Sequence, residues 1–309
     1  MPPEAPLRAL TSAEIETYDE TGVVHAADLF PPHWLDRMEA AVDRIVREPT
    51  FFGQALSRQD EGFTGDLFLW KQDKDFHEWV FASPAARIAQ QLLRTPKVRH
   101  FYDQLFVKQP GCHMPTPWHQ DITFWPVELD SRALCSIWIS FDNVTRESSG
   151  LEFVRGSHRW TERYKAVTPT YDPYMLASDF LDAPDIDAHR DDYDLFCPAT
   201  KRGDCLIFNP VVLHGSSQNY STEVSRRAFS TRWAGDDVRF ESRSATMPLL
   251  WKHGLRDGQT LSGPLFPQVL PETIQGEADR EFRGPEPPDP ENLRRFGEAV
   301  SKVASAGTQ

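Results

Sequence analysis

The hydrophobic period of this 309-residue chain changes near residue 100, and that change limits its fold more than any other feature. Before it, apolar residues recur at helical spacing. Trp34, Leu35, Met38, Ala41, Val42 and Ile45 follow Pro31 and Pro32 in this way and predict a helix. Thr11 and Glu14 form a capping box that opens a shorter, earlier helix. Residues 82–93 (ASPAARIAQQLL) predict a third, with Ser83 as N-cap and Pro84 at the first helical position. After residue 100 come short aromatic or β-branched runs: 101–108 (FYDQLFVK), 135–142 (CSIWISFD), 204–209 (DCLIFN) and 226–233 (RRAFSTRW). Turn signals bound them at Pro110-Gly111, Ser149-Gly150, Arg202-Gly203 and Gly235-Asp236. Helices followed by antiparallel strands, not interleaved with them, predict a mainly β, α+β fold: a sandwich or barrel under a helical N-terminal cover.

These signals divide the chain into one domain over 1–270, with its helical cover at about 10–98 and its β core at about 100–240. Residues 161–200 are polar and rich in Pro and Asp, the composition of a long insertion between core strands, which serves either as a lid or binding loop or as disordered decoration. Residues 271–309 form a Pro- and charge-rich extension, with a short helix expected near 291–304.

Charge narrows the partners. The net charge of −13 argues against nucleic acid and anionic membranes, which call for a basic face. Cys112, Cys135, Cys197 and Cys205 form no C-x-x-C pair, which removes support for a cysteine zinc site and for a disulfide framework. No run of about 18 apolar residues occurs, and the N-terminal stretch lacks a signal-peptide core, so a cytoplasmic location is expected.

The chemistry concentrates in 116–125 (TPWHQDITFW). Residues two apart on a strand project from one face, so an extended 118–124 puts His119 and Asp121 side by side. One nitrogen and one oxygen ligand from one strand, plus a histidine from elsewhere, make the 2-His-1-carboxylate set of non-heme Fe(II) oxygenases. His214 is the best candidate for the third ligand, standing after an apolar strand and before GSSQN; His158, in a Gly-Ser-His turn, is its main rival.

The surrounding pattern resembles the phytanoyl-CoA dioxygenase family of Fe(II)/2-oxoglutarate-dependent oxygenases. The matching segments are DQLFVKQPG (103–111), TPWHQDITFWPV (116–127), SIWISFDNV (136–144), GLEFVRGSHRW (150–160), GDCLIFNPVVLHGSSQN (203–219) and SRRAFSTRW (225–233), within a resemblance that spans roughly 10–240. It implies a double-stranded β-helix (jelly-roll) core, iron held by His119, Asp121 and His214, and room on the metal for 2-oxoglutarate and O2. It also implies Arg226 as the partner of the far carboxylate of 2-oxoglutarate, a task suited to a planar guanidinium fork. Alternation places Arg226, Ala228 and Ser230 on one face and Arg227, Phe229 and Thr231 on the other. Arg227 and Arg232 are expected to serve surface or ion-pair duty.

For 2-oxoglutarate, Gln104 lies on the strand that lines the pocket in relatives, Trp138 matches a family position beside the acid, and Ser216 offers a hydroxyl to a carboxylate, although packing or a turn hydrogen bond accounts for each equally well. Lys108 either pairs with an acid or ends a strand, and Lys71, in LFLWKQDKDF, lies in a segment that resembles one at the pocket mouth, with a solvated lysine as the default reading. Trp70, Phe124 and Trp125, with His113 nearby, are expected to wall an apolar substrate site. Halogenases of this fold have a small residue at the carboxylate position; the chain keeps Asp121, which favours hydroxylation or a related oxidation. The insertion, Thr123-Phe124-Trp125 and the missing basic surface depart from what an acyl-CoA substrate calls for. A small or medium, partly apolar molecule is therefore the expected substrate. The contrasting readings are a non-catalytic jelly-roll binding protein with a vestigial metal triad and a hydrolytic zinc site. Neither accounts for the arginine strand.

Overall fold

The computed structural model describes residues 2–167, 178–272 and 279–306. Its centre is a pair of antiparallel sheets. The larger runs in the order β1 (Val23–Ala26), β8 (Cys205–Phe208), β5 (Leu134–Ser140), β10 (Arg226–Ala234), β3 (Val98–Lys108) and β11 (Gln268–Leu270). β2 (Phe63–Leu67) pairs with the other half of β3. The smaller sheet runs β4 (Thr116–His119), β9 (His214–Ser216), β6 (Leu151–Val154), β7 (Leu195–Phe196). The four strands expected from the sequence are β3, β5, β8 and β10, each within a few residues of its expected bounds.

Alternation sorts the large sheet into two faces. Odd residues of β10 and β5, such as Phe229, Trp233, Ile137 and Ile139, enter the main core under the helices, where Phe229 meets Phe76 edge-on with ring centres 4.9 Å apart. Even residues Trp138 and Ala228 face the smaller sheet and join Leu151, Phe153, Leu206 and Phe208 in a second cluster. This double-sheet core is the jelly-roll architecture, closed on one face by helices.

The cover follows the sequence signals with two corrections. α1 (Ser12–Thr21) opens on the Thr11–Glu14 capping box, and α2 (Pro32–Arg47) buries all six expected apolar residues. The third predicted helix begins later, as α5 (Ala85–Leu93), because Ala82 ends α4 (Lys74–Ala82) and Ser83 caps that helix C-terminally. α3 (Phe51–Leu56) and α4 went unrecognised, since six- and nine-residue helices leave little periodicity to read.

The C-terminal extension is tied to the domain. Lys71 Nζ meets Glu286 at 2.6 Å, the Asp289 amide donates to the Leu250 carbonyl, and α6 (Pro290–Ala306) follows. Residues 168–177 of the insertion and 273–278 and 307–309 of the extension lie outside the described residues. Among those described, no helix is long and apolar enough to cross a membrane.

Candidate metal centre

His119 and His214 are Cα partners across β4 and β9, so register alone brings their rings to 4.3 Å centre to centre. Gly215 permits this approach: a Cβ there would lie 2.9 Å from the Thr116 carbonyl oxygen. Extended backbone stops at Gln120, short of the predicted 118–124, and Asp121 opens a 3-10 turn. Asp121 still projects beside His119 because extended Gln120 directs its own side chain elsewhere. The Gln120 amide donates to the Val211 carbonyl and accepts from the Tyr164 amide, each at 2.9 Å. One side chain therefore ties together the ligand strand, the turn before His214 and the start of the insertion.

The donor atoms converge. Asp121 Oδ1 lies 3.5 Å from His119 Nε2 and 3.9 Å from His214 Nε2, and one ligand atom from each residue lies within 4.8 Å of the others. Both Nδ1 atoms face carbonyls two residues back, of Pro117 at 2.7 Å and Val212 at 3.0 Å. A carbonyl only accepts, so each Nδ1 carries the proton and each Nε2 offers its lone pair toward Asp121. Burial, reinforced by the neighbouring His119, pushes His214 down to about 4, so it stands neutral near pH 7. Burial opposes ionisation of Asp121, but the adjoining His119 and the cationic Arg232 outweigh it and hold the carboxyl below its usual range. Two neutral imidazoles and a carboxylate form a donor set suited to a divalent transition metal.

The trio opens onto a cavity of about 270 Å³ between the sheets. Asp121, Trp138, Arg226, Ser230 and Arg232 all line it, and among the described residues Asp121 Oδ2, Trp138 Nε1, Arg226 Nε, Ser230 Oγ and Arg232 Nε are buried without a hydrogen-bond partner. Folded proteins leave few such atoms, and their concentration around one cavity marks a ligand site. Arg226, 1% exposed, has no ion pair or hydrogen bond from its guanidinium among the described residues, and burial pushes it down to about 10. A fully buried cation of this kind calls for an anion.

Of the other expected site residues, Gln104, Trp138 and Phe124 line the cavity. Ser216 lies behind the wall, where it and Ser149 accept from Lys108 Nζ at 3.0 Å each. Lys108 therefore neither pairs with an acid nor simply ends β3. It is buried opposite Arg226 in register, its third bond goes to the Ser217 carbonyl, and burial and Arg226 hold its ammonium well below the usual lysine range.

Trp70 and Lys71 are not at the cavity. Lys71 Nζ sits 4.6 Å over the Trp70 ring and pairs with Glu286, because the turn after β2 carries both residues under the C-terminal extension. Trp125 is one layer behind the wall and donates to Tyr102 Oη at 2.8 Å. His113 is exposed on the loop after β3. His158 packs against Gly22, away from the trio.

Arg227 forms its expected ion pairs, with Asp142 and Asp43. Arg232 leaves the surface and lines the cavity, where it keeps ion-pair duty toward Asp121 at 4.0 Å; its even parity with Arg226 and Ser230 is the signal for that place. Phe51 and Phe52 of α3, Met247, and Phe296 of α6 complete the wall, and no strand pattern announces them.

A model of the phytanoyl-CoA dioxygenase (PhyH) family matches residues 18–228. Mouse peroxisomal phytanoyl-CoA dioxygenase is 21% identical over 255 residues, covering 77% of this chain and 72% of the relative. Ectoine dioxygenase of Bordetella bronchiseptica is 25% identical over 235 residues, covering 69% and 72%. Among solved structures, the non-heme alpha-ketoglutarate-dependent carbocyclase SnoK from nogalamycin biosynthesis superposes with a TM-score of 0.68 at 20% identity, over 87% of this chain and all of that one. EctD from S. alaskensis, with 2-oxoglutarate and 5-hydroxyectoine, gives 0.60 at 16% identity, over 80% and 86%. The fold of these structures, the His-Asp-His trio and a family match over most of the chain agree: the chain belongs to the phytanoyl-CoA dioxygenase family.

Proposed function

We propose that this chain is an Fe(II)- and 2-oxoglutarate-dependent dioxygenase that hydroxylates a small or medium organic substrate at a C–H bond, with decarboxylation of 2-oxoglutarate to succinate and CO2. The observation that carries this reading is the pairing, in one cavity, of His119, Asp121 and His214 with the unpaired, buried Arg226. His119, Asp121 and His214 would hold the iron, and Arg226 would take the far carboxylate of 2-oxoglutarate. Iron bound there would supply the redox chemistry that couples O2 to that decarboxylation and to C–H oxidation.

The chain's own residues position the reactants and keep water out. The carbonyls of Pro117 and Val212 fix both imidazoles as Nε2 ligands. Lys108 commits its donors to Ser149, Ser216 and Ser217, which holds that end of β9 against β3 beside Arg226. The indole N–H of Trp138 and the hydroxyl of Ser230 are donors left for the bound acid. Phe51, Phe52, Phe124 and Phe296 form apolar walls that exclude water from the reacting C–H. We place the protein in the cytoplasm, where its four free cysteines, three of them buried, suit a reducing compartment.

The test is anaerobic addition of Fe(II) and then 2-oxoglutarate to metal-free protein, followed by a substrate screen for succinate release. A visible charge-transfer band that is lost in His119→Ala and weakened in Arg226→Ala supports the reading. A folded, metal-loaded protein with no band moves it to a non-catalytic jelly-roll binding protein with a vestigial triad.

A further inference from the structure

Arg232 is a second buried cation on the cavity wall, 2% exposed. Its guanidinium stacks 4.5 Å above the Tyr102 ring and donates to the Ser230 carbonyl at 3.0 Å and to Gln104 Oε1 at 3.2 Å. Neither acceptor carries charge. Among the described residues, the carboxylate within ion-pair range is Asp121, 4.0 Å away, which also serves both histidines, and Arg232 Nε has no hydrogen-bond partner. Because arginine only donates, the Gln104 atom facing it is the oxygen, which leaves the Gln104 amide nitrogen for a ligand.

Charge counting shows what is missing. A divalent metal and two guanidiniums bring four positive charges; Asp121 and a 2-oxoglutarate dianion bring three negative ones. The surplus is a single positive charge on Arg232 in a site of low dielectric, where an unpaired charge is strongly disfavoured. The rest of the wall around Arg232 is apolar, with Phe106, Phe124 and Leu67 among its residues. A planar fork favours a carboxylate, which it meets through two parallel hydrogen bonds. The cavity, about 270 Å³, sits at the small end of ligand pockets, roughly 300–1,000 Å³.

We propose that Arg232, with the amide nitrogen of Gln104, anchors a single carboxylate on an otherwise apolar substrate and so sets which part of that substrate faces the metal. This rests on the oxygenase reading only for the occupant of Arg226.

The test compares two acids, 3-phenylpropanoate and indole-3-acetate, with their primary amides. Binding is read from quenching of tryptophan fluorescence and from calorimetry, with and without Mn(II) and 2-oxoglutarate. The wild type should bind the acids roughly tenfold or more tightly than the amides, the size of a charge-assisted hydrogen bond. That preference should vanish in Arg232→Gln and survive in Arg226→Ala. Equal binding of acids and amides, no binding of either, or a preference that follows Arg226 would overturn the proposal. Should Arg232→Gln fail to fold, Arg232→Lys carries the test: the charge stays, the fork is lost, and the acid preference should drop several-fold, with an unchanged preference counting against the anchor. The two readings fail separately. A 2-oxoglutarate chelate band without acid preference leaves the oxygenase and removes the anchor. Acid preference through Arg232 without a chelate band does the reverse.

Discussion

His119 and His214 face each other as register partners on adjacent antiparallel strands, and each ring is locked by a hydrogen bond to the carbonyl two residues before it. The Nε2 atoms that could hold a metal are therefore aimed by backbone geometry. His119→Ala should abolish tight metal binding, a larger loss than the roughly 10–100-fold that removing an outer-sphere partner brings. His158→Ala, which changes a histidine packed against Gly22, should leave it intact. Fe(II) or Mn(II) titration monitored by calorimetry distinguishes them, and equal losses would remove His119 from the centre.

Arg226 tests the co-substrate site separately from the metal. Losing one member of a buried charge pair weakens binding by on the order of 10²-fold. Arg226→Ala should lower apparent 2-oxoglutarate affinity by about that factor while Mn(II) affinity stays within a few-fold of wild type. A variant that loses both equally would show that Arg226 supports the fold of the centre and does not bind the acid.

Gly215 lies between a metal ligand and Ser216 where two strands nearly touch. In Gly215→Ala the added Cβ meets backbone, the Thr116 carbonyl at 2.9 Å, which no rotamer change relieves. Overpacking of this kind destabilises by about 1–3 kcal/mol. The variant should melt earlier and bind metal more weakly, since its strain separates β4 from β9. Wild-type metal affinity in this variant would show that the strands yield without moving the ligands.

Asp66 gives the cavity wall a pH dependence. It accepts from the Thr50 amide and hydroxyl at the start of α3, which carries Phe51 and Phe52. Burial raises its carboxyl to about 6 from an ordinary 3.8, against the opposing pull of those hydrogen bonds. The folded state therefore favours the protonated acid. Its stabilising contribution is complete below about pH 4 and is lost as pH rises through 6. The shift corresponds to about 3 kcal/mol. Asp66→Asn, always neutral, should gain on the wild type by up to that amount between pH 4 and 7 in denaturant melts. A gap that stays flat with pH would be inconsistent with an ionising Asp66.

Much of the centre was legible because strands have a period of two. Alternation separated Arg226 from Arg227 and placed Trp138 inward, and both assignments follow from the pleat with no knowledge of neighbours. The same parity extends from Arg226 through Ser230 to Arg232, so the inward face of Arg232 is also written in the pleat, against the ordinary surface role of arginine. Trp70, Lys71, Trp125 and His113 misled for another reason. Each lies near site residues in sequence, but turns send Trp70 and Lys71 under the C-terminal extension, bury Trp125 one layer back and leave His113 in solvent.

The sequence by itself determined that helices precede an antiparallel β core and which face its four expected strands bury, because both depend on residue type and local period. Its resemblance to a known family singled out His119, Asp121, His214 and Arg226, which the structure brings to one cavity. Tertiary structure alone decided that α3 and α6 reach the cavity, that Lys108 is satisfied by serines, and that Arg232 stands 4.0 Å from Asp121 with its Nε open. Those relationships join residues tens to hundreds of positions apart, and no local periodicity encodes which distant segments meet.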